Sequence, residues 1–557
     1  MGYTTLWKRL TPRQLSVAIH IFSLISIFFE GYDQGVMGGV NSSPTYVTLV
    51  GIGTADGKVT DTTHQGGHRQ CLLFGRDLWL LRWRMACRPR WTYQWTAGRV
   101  FVCLGGRSPA SCHHKLKFYD LRQSGDRDWH RCETHPRITL TKINSWGGGG
   151  SLALTGITPV LVSETSTANN RGGFLGYVFI ANYLGISVAY WISFGLSFIN
   201  HGYSDVRWRF LLAFQCFPAL LLALFIKMLP DSPRYLASVG RTDEAHELLT
   251  LLRKDKATPA EIDREYLEII TTAKYSKPSS PLQFAKILCG KGGDKGTNLG
   301  RRAWLCIWLQ IMASWTGITA VTAYAPVLLE QAEYTKIQIA GLAGGVNTVG
   351  ILGTIISAQI VDRLGRRACL MGGSAMLFAV NLIAGAVYEA SYHHPADVKA
   401  YAPAAVTMLF LFNLGYAATW GTVAFLIPTE IFPSDLRAQG NGFGITGWAI
   451  GVGMTTLVNP IMFGHLFSRS YFLLAGLNLI WIPIVFLFYP ETRNRSLESI
   501  EALFSTSSPF HWSMEQAYKL HGDVLASHGV TKNETYDLPR ASTASQGELE
   551  CSAALTA

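Results

Sequence analysis

Charged side chains are scarce in this chain of 557 residues. Asp, Glu, Lys and Arg together make up only 15% of it, whereas hydrophobic residues make up 48%. The mean hydropathy is accordingly positive, at +0.18. A soluble protein of this length exposes more charge, so the composition predicts a membrane protein.

The chain also lacks the motifs of the common catalytic classes. It has no glycine-rich nucleotide loop, no nucleophile paired with a histidine and no convincing metal-ligand set, so we expect neither an enzyme nor a cofactor. No cleavable signal peptide precedes the first apolar run. Instead Lys8, Arg9 and Arg13 precede it, which predicts a cytoplasmic N-terminus.

Apolar runs of about 20 residues, each long enough to cross a bilayer, recur along the chain. They predict spans near residues 15–40, 146–162, 174–198, 210–228, 303–329, 337–361, 368–387, 402–427, 440–465 and 471–488. The predicted domains are an N-terminal membrane half (1–229), a cytoplasmic loop with short helices (230–302), a C-terminal six-helix half (303–489) and a mostly disordered cytoplasmic tail (490–557).

The two predicted halves are unequal, although transporters of this size are usually built from two related halves. Glu164 and Arg171 stand seven residues apart after a span, and Glu430 and Arg437 repeat that spacing. The D-R-L-G-R-R loop at residues 362–367 has no counterpart in the first half. Two spans and one loop are therefore missing before residue 146.

The stretch 68–132 has an unusual composition. It holds 13 Lys or Arg against four Asp or Glu, so most of the net charge of +11 lies there and no nucleic-acid partner is implied. Five of the ten cysteines also lie there. Read literally, it offers zinc ligands in a spacing that matches no zinc module we can name: Cys103, Cys112, His113, His114 and Cys132.

A shift of the reading frame by one nucleotide restores the missing repeat. Every Trp codon then encodes Gly, which converts Trp79, Trp83, Trp91 and Trp95, and the codons of 85–86 then encode Trp. The shifted stretch permits an apolar span followed by A-D-R-V-G-R-I. We therefore predict that residues 68–145 are mistranslated and that, as written, the chain has about ten spans, with the second and third lost.

Several motifs, in this order, resemble the sugar porter family of the major facilitator superfamily, particularly its fungal members. The resemblance covers nearly the whole chain outside the unusual stretch. It implies an all-α polytopic membrane protein with two six-helix halves and transport by alternating access. The motifs are G-Y-D-Q-G-V at 31–36, P-D-S-P-R-Y-L at 230–236, D-R-L-G-R-R at 362–367, Gly421 with P-T-E-I-F-P at 428–433, and P-E-T at 490–492 with R-S-L-E at 495–498.

The resemblance implies a proton site in the first span. Proton-coupled relatives use an aspartate at the position of Asp33, paired with an arginine of the fourth span, and Glu30 lies one turn earlier. Here that arginine exists only in the shifted frame, under the codon of Gln123. The alternative is a static ion pair or a residue that faces the mouth.

The resemblance also implies a solute site, from which this sequence departs. Ala313 and Ser314 replace paired glutamines, so fewer amides are left to bind a hexose. The ligand expected is therefore a monosaccharide such as a pentose, a polyol or a quinate-like solute. The alternative for each aromatic residue is ordinary packing. The candidate residues are Gln310, Thr319, Tyr324, Tyr183, Phe425 and Trp448.

Charged residues at the cytoplasmic ends of the spans are predicted to form a latch that holds one transport state. The alternative is that the arginines only set topology. The candidate latch residues are Asp362, Arg363, Gly365, Arg366, Arg367, Glu164, Arg171, Glu430 and Arg437.

The predicted function is therefore secondary transport of a polyhydroxylated solute, with proton symport, by a monomer in the plasma membrane whose termini are cytoplasmic. The partners expected are the solute, the proton and the lipid bilayer. Two alternatives stay open: a non-transporting sugar sensor, and an inactive product of a frameshifted gene. Asn41-Ser42-Ser43 is a glycosylation sequon, expected in the first external loop.

Overall fold

The computed structural model describes residues 10–50, 171–225 and, with short gaps, 230–527, together with the isolated Thr158. All regular elements in this part of the chain are helical, as predicted. The first half contains α1 (Pro12–Asn41), α2 (Pro44–Val50), α3 (Arg171–Ser197), α4 (Asp205–Phe214) and α5 (Cys216–Phe225). The central segment contains α6 (Pro233–Ser238), α7 (Thr242–Arg253), α8 (Pro259–Tyr275) and α9 (Pro281–Leu288).

The second half and the tail follow the central segment. The helices are α10 (Leu299–Ala313), α11 (Lys336–Leu364), α12 (Arg366–His393), α13 (Val398–Ala418), α14 (Trp420–Glu430), α15 (Arg437–Leu466), α16 (Arg469–Phe488), α17 (Leu497–Leu503) and α18 (His511–Ser527).

Eight helices in the described residues are long and apolar enough to cross a membrane. Six of them follow the central segment, which confirms the six spans predicted there. In the first half α1 and α3 are continuous, whereas the run at 210–228 is divided into α4 and α5 at Gln215. The expected span at 146–162, apart from Thr158, and the stretch 68–145 lie outside the described residues.

Helices α1 and α3 cross at unusually close range because glycines line the crossing. A Cβ atom at Gly31 would overlap the carbonyl group of Asn182, and one at Gly185 would overlap the carbonyl oxygen of Phe28. The next residue, Tyr32, donates its hydroxyl to the carbonyl oxygen of Leu211 at 2.9 Å. The glycine and tyrosine of the first-span motif therefore serve helix packing.

Helix α3 also joins the two halves of the molecule. The Tyr190 hydroxyl donates to the carbonyl oxygen of Thr322 at 2.6 Å. The Trp191 indole donates to Thr348 Oγ1 at 2.9 Å, and its ring lies against Gly344 of α11. Buried residues of α3 consequently belong to the large apolar core of the second half.

The span Leu299–Thr322, which is the seventh when the two lost spans are counted, is interrupted where α10 ends. Residues 314–318 form a π-type turn in which Gly317 has a φ of +114°, a conformation that favours glycine. The Asn478 side chain of α16 donates to the carbonyl oxygen of Thr316 at 3.0 Å and so binds one backbone group of this turn. Interrupted spans of this kind are common beside binding sites in transporters.

The central segment, for which short helices were predicted, contains α7 and α8 among its four helices. Leu248 and Leu249 of α7 share one buried cluster with Leu15 and Ile19 of α1. Two bonds of 3.1 Å from Arg253 to the Glu265 carboxylate join α7 to α8. Helices α7 and α8 therefore form a small layer packed on the first turns of α1, whereas α9 packs on the second half.

The tail differs from the expectation of disorder, because α17 and α18 extend regular structure as far as Ser527. Phe504 and Met514 are fully buried in the core of the second half. Asn298 donates to the carbonyl oxygens of Phe504 at 2.7 Å and Thr506 at 3.0 Å. These few contacts hold a segment of polar composition in place. The prediction of a mostly disordered tail is therefore wrong up to residue 527. Residues 528–557 lie outside the described part of the chain.

The predicted glycosylation sequon is also not on the surface. Asn41 is the last residue of α1 and is buried, and Ser43 is completely buried. Between them, the Ser42 hydroxyl accepts a bond of 2.9 Å from the buried Arg207. A glycan acceptor must be exposed, so the structure argues against glycosylation at this sequon.

Candidate functional site

Asp33 and Glu30 lie one turn apart on α1, inside the membrane-spanning part of the first half. The Asp33 Oδ1 atom accepts a hydrogen bond of 2.9 Å from Gln215 Nε2. Glu30 is buried, and its Oε1 atom accepts a bond of 3.3 Å from Gln34. The arginine expected beside Asp33 belongs to the stretch outside the described residues. Sequence reasoning missed Gln215, which lies where α4 and α5 separate.

Four buried amide side chains lie near the middle of four different spans of the second half. The Gln310 Nε2 atom donates to the carbonyl oxygen of Ala424 at 2.8 Å. The Asn347, Asn413 and Asn478 nitrogens likewise donate to backbone carbonyl oxygens, at 2.6 to 3.0 Å. Within the described part of the chain, none of the four amide oxygens has a hydrogen-bond partner.

Only Gln310 of these four amides was predicted as a site residue. The sequence does contain a sign of the three asparagines. An asparagine inside an apolar span is energetically costly and tends to mark a polar pathway or a contact between helices. That signal does not distinguish the three from Asn381 or Asn459, which are also buried.

Thr319 lies just beyond the π-type turn and is buried. Its Oγ1 atom accepts a hydrogen bond of 3.0 Å from Thr455 of α15. Helix α15 approaches α10 closely here, because a Cβ atom at Gly451 would lie 2.6 Å from Ser314 Oγ. Thr455 is a further polar residue that sequence reasoning missed. Tyr324 lies outside the described residues.

Aromatic residues connect the two halves. The Phe425 ring of α14 lies 5.3 Å from that of Phe179 on α3 and 6.5 Å from that of Trp448 on α15. Tyr183, one turn beyond Phe179, lies flat against Gly350 of α11, where a Cβ atom would overlap its ring. Tyr183 therefore fills a contact between the halves.

Three latch candidates of the second half meet around the guanidinium group of Arg366. Arg366 Nη2 lies 2.7 Å from Glu430 Oε1, and Arg366 Nη1 lies 2.9 Å from Asp362 Oδ1. The Thr492 hydroxyl donates to Glu430 Oε2 at 2.6 Å. Both members of the Arg366–Glu430 pair are largely buried, so removal of either one leaves an unpaired charge at low exposure.

A second carboxylate, that of Glu491, explains why the latch candidate at position 365 is a glycine. Glu491 accepts backbone bonds from Arg366 at 3.0 Å and Arg367 at 3.1 Å, the first two residues of α12. A carboxylate is favoured at this position because the N-terminus of a helix carries partial positive charge. Gly365 has a φ of +99°, and a Cβ atom there would lie 2.6 Å from Glu491 Oε2.

The remaining latch candidates differ in what the structure shows. Arg367 donates to the carbonyl oxygen of Phe486 at 2.6 Å and to His511 at 2.9 Å, whereas Arg363 is exposed. Arg171 and Arg437 begin α3 and α15, but their side chains lie outside the described residues, as does Glu164. The contacts described here all join parts of the second half.

The residue types found here are those that bind hydroxyl groups and that change charge with protonation. Buried amide oxygens accept from hydroxyls, and aromatic faces pack against the C–H faces of a ring. Among the described residues no group of three or more His, Cys, Asp or Glu side chains is placed to hold a metal ion. The zinc ligands considered above lie outside them.

A family model described as "Sugar (and other) transporter" matches residues 149–504, more than half of the chain. The chain belongs to the sugar transporter family. It is therefore a multi-pass membrane transporter of the major facilitator superfamily, and not an enzyme.

Curated relatives agree with this assignment. The transporter is 27% identical over 503 residues to the MFS-type transporter criB of Aspergillus cristatus, an alignment that covers 90% of this chain and 95% of that protein. It is 31% identical over 364 residues to the sugar transporter STL1 of Saccharomyces cerevisiae, covering 64% of this chain and 61% of that protein.

A solved structure shows the fold. The proton:xylose symporter XylE of E. coli, bound to 6-bromo-6-deoxy-D-glucose, superposes on the transporter with a TM-score of 0.66. The match covers 88% of this chain and 99% of that chain at 18% identity. The predicted fold class is thus confirmed as that of the major facilitator superfamily; the full set of twelve spans is not seen in the described residues.

Proposed function

We propose that this sugar transporter carries a monosaccharide, polyol or quinate-like solute together with a proton, by alternating access. The binding of such a solute is supported by the four amide oxygens near mid-membrane that have no hydrogen-bond partner among the described residues. A buried carbonyl oxygen that accepts no hydrogen bond is unfavourable, and a solute hydroxyl would satisfy it. A site rich in acceptors therefore suits a solute rich in hydroxyl donors.

We also propose that the active form carries residues 68–145 in the shifted frame. The family match supports this, because it begins at residue 149, directly after that stretch. The restored frame supplies two spans and the fourth-span arginine. Uptake experiments therefore use the frame-corrected chain, reconstituted in lipid vesicles.

The binding of the solute is tested by replacing single amide side chains with leucine, which removes the unpaired acceptor together with the N–H donor to a backbone carbonyl oxygen. In Gln310→Leu and Asn347→Leu we expect the KM for the solute to rise about tenfold, the effect of one or two lost hydrogen bonds. The measurement is concentration-dependent uptake from a panel of pentoses, hexoses, polyols and quinate. The matched control is Asn381→Leu, a buried asparagine of α12 outside the four-amide set, which should leave the KM unchanged.

Equal KM values in all three variants would contradict the role of the amides. Uptake of no member of the panel by the unsubstituted chain would contradict the proposed solute class.

The proposal of proton symport depends on Asp33, a carboxylate within α1. Its Oδ1 atom accepts a hydrogen bond from Gln215, which lies between α4 and α5. Protonation of Asp33 removes a negative charge between two spans and weakens its contacts there. A charge change at this place suits coupling, because α1 also packs on α3, which contacts the second half. Glu30, one turn away, is the second candidate.

Asp33→Asn separates coupling from binding. We expect the variant to lose accumulation driven by a pH gradient but to retain exchange of labelled solute at equal concentrations, since exchange needs no net proton movement. Asp205→Asn, which removes an exposed ion pair with Arg209, is the control and should accumulate solute normally. Unchanged accumulation in Asp33→Asn would rule out this residue as the proton site.

We further propose a monomer in the plasma membrane with both termini in the cytoplasm. Lys8, Arg9 and Arg13 before α1 support the cytoplasmic side. The even number of spans in the frame-corrected chain then places the tail on the same side.

A further inference from the structure

Helix α18 has one face that docks on the second half. Met514 is fully buried, and Glu515 lies 2.7 Å from Arg495. His511 accepts from Arg367 at 2.9 Å, and the Tyr518 ring lies 4.3 Å from the Arg495 guanidinium carbon. These residues recur at helical spacing, so α18 is fixed to the second half in one rotation.

That rotation leaves an opposite face uncovered by the described residues. Trp512 is 53% exposed, Leu520 is 59% exposed, and Gln516 and Lys519 are exposed between and beside them. Phe510, just before the helix, is 36% exposed. An indole, a leucine and a lysine on one face are typical of helices that lie in a membrane interface, where the lysine stem lies along apolar surface and its ammonium group stays in water.

A stack of aromatic rings connects the exposed face to the end of a spanning helix. Trp512 stacks on Phe510 with ring centroids 4.7 Å apart, and Phe510 stacks on Phe488 at 5.8 Å. Phe488 is the last residue of the spanning helix α16, and Phe486 in the same turn is 51% exposed. Arg367 lies over the Phe486 ring at 4.6 Å, which places a guanidinium group at the same level.

We propose that α18 is an interfacial helix whose exposed face, formed by Phe510, Trp512, Gln516, Lys519 and Leu520, lies in the headgroup region of the bilayer beside the end of α16. The occupant is a lipid surface because the stack begins on α16, which lipid already surrounds. A row of large apolar side chains at that level removes apolar area from water. Helix α18 would thus anchor the second half to the bilayer interface, and this contact does not depend on whether a solute is bound.

The test measures which medium contacts the exposed face. The frame-corrected chain, with its native cysteines replaced by serine, receives one fluorescent label at Leu520→Cys and is reconstituted in nanodiscs. We expect phospholipid carrying a nitroxide near its headgroup to quench this label several-fold more than aqueous iodide does. The matched control label, at the exposed Ser505→Cys in the turn after α17, should show the reverse order.

A second substitution tests the aromatic stack while the reporter stays at 520. Trp512→Ala should reduce lipid quenching of the label, and Trp512→Phe should retain most of it. Strong iodide quenching at 520 in the unsubstituted chain would overturn the proposal, because the face would then lie in water. Weak quenching by both agents would also overturn it, because protein would then cover the face.

Discussion

At the scale of single residues, Gly365 shows how the D-R-L-G-R-R motif works. The chain turns sharply between α11 and α12, and the positive φ at Gly365 lets the first backbone amides of α12 face Glu491. A side chain at this position would meet the Glu491 carboxylate. The motif and the P-E-T sequence far along the chain are therefore two parts of one helix cap.

Gly365→Ala should destabilise the protein by about 1–3 kcal/mol, because it combines an unfavourable backbone conformation with a clash against Glu491. The matched control is Gly372→Ala on the same helix, where a Cβ atom meets nothing within 4 Å. We expect that control to be neutral or slightly stabilising, since alanine favours helix. The measurement is the thermal unfolding midpoint in detergent, and equal midpoints for both variants would disprove the cap.

The sequence predicted the charged candidates of the second-half latch better than the polar candidates of the solute site. Arg366, Glu430 and Asp362 are charged residues at span ends, so their motif spacing indicates a contact. Asn413 and Thr455 resemble other polar residues in apolar helices, and only the packing of the spans shows where they lie. The partner of Asp33 was not predictable, because Gln215 is distant in sequence and belongs to no motif that we recognised.

At the scale of elements, the hydrophobic pattern predicted where helices lie but not where they break. The seventh span was predicted as one run, yet the structure divides it at Gly317, and α4 and α5 separate within one apolar run. Glycine is common in spanning helices, so its presence does not reveal a positive φ. The tail was predicted as disordered because most of its residues are polar. The two buried apolar residues that hold it, Phe504 and Met514, do not stand out in its sequence.

The docking of α18 should depend on pH through His511. Burial, and then the charge of Arg367, hold the pKa of the His511 imidazole below its usual value of about 6.5, and the further charges facing it are Glu515, Arg495 and Glu491. A lowered pKa means that the docked state favours the neutral ring. Docking is therefore strongest above about pH 6.5 and weakens as the pH falls through that value and below it.

Hydrogen exchange of residues 511–527 should report this dependence. We expect faster exchange at pH 5.5 than at pH 7.5, after correction for the intrinsic rate. His511→Gln, whose neutral amide oxygen accepts from Arg367, should show much less of the difference. The same acid-induced loss of protection in that variant would assign the effect to another group.

At the scale of the whole molecule, α3 contacts both halves and is the described element that most directly links them. On one side it crosses α1 at glycine contacts, and on the other Tyr190 reaches Thr322, beyond the π-type turn, and Trp191 reaches α11. Alternating access rocks one half against the other, so the contacts of α3 with the second half lie where the halves move relative to each other. The spans that would complete the first half around α1 and α3 come from the stretch before residue 149.

We predict that the reading frame of residues 68–145 decides whether this chain transports solute. As given, this stretch is basic and cysteine-rich, whereas the predicted fold needs two apolar spans there. We expect the transcript across codons 60 to 150 to carry the shifted frame. We also expect the frame-corrected chain to take up solute and the chain as given to be degraded without transport. Solute uptake by the chain as given, at equal abundance in the membrane, would show that the stretch is a genuine insertion and that ten spans suffice.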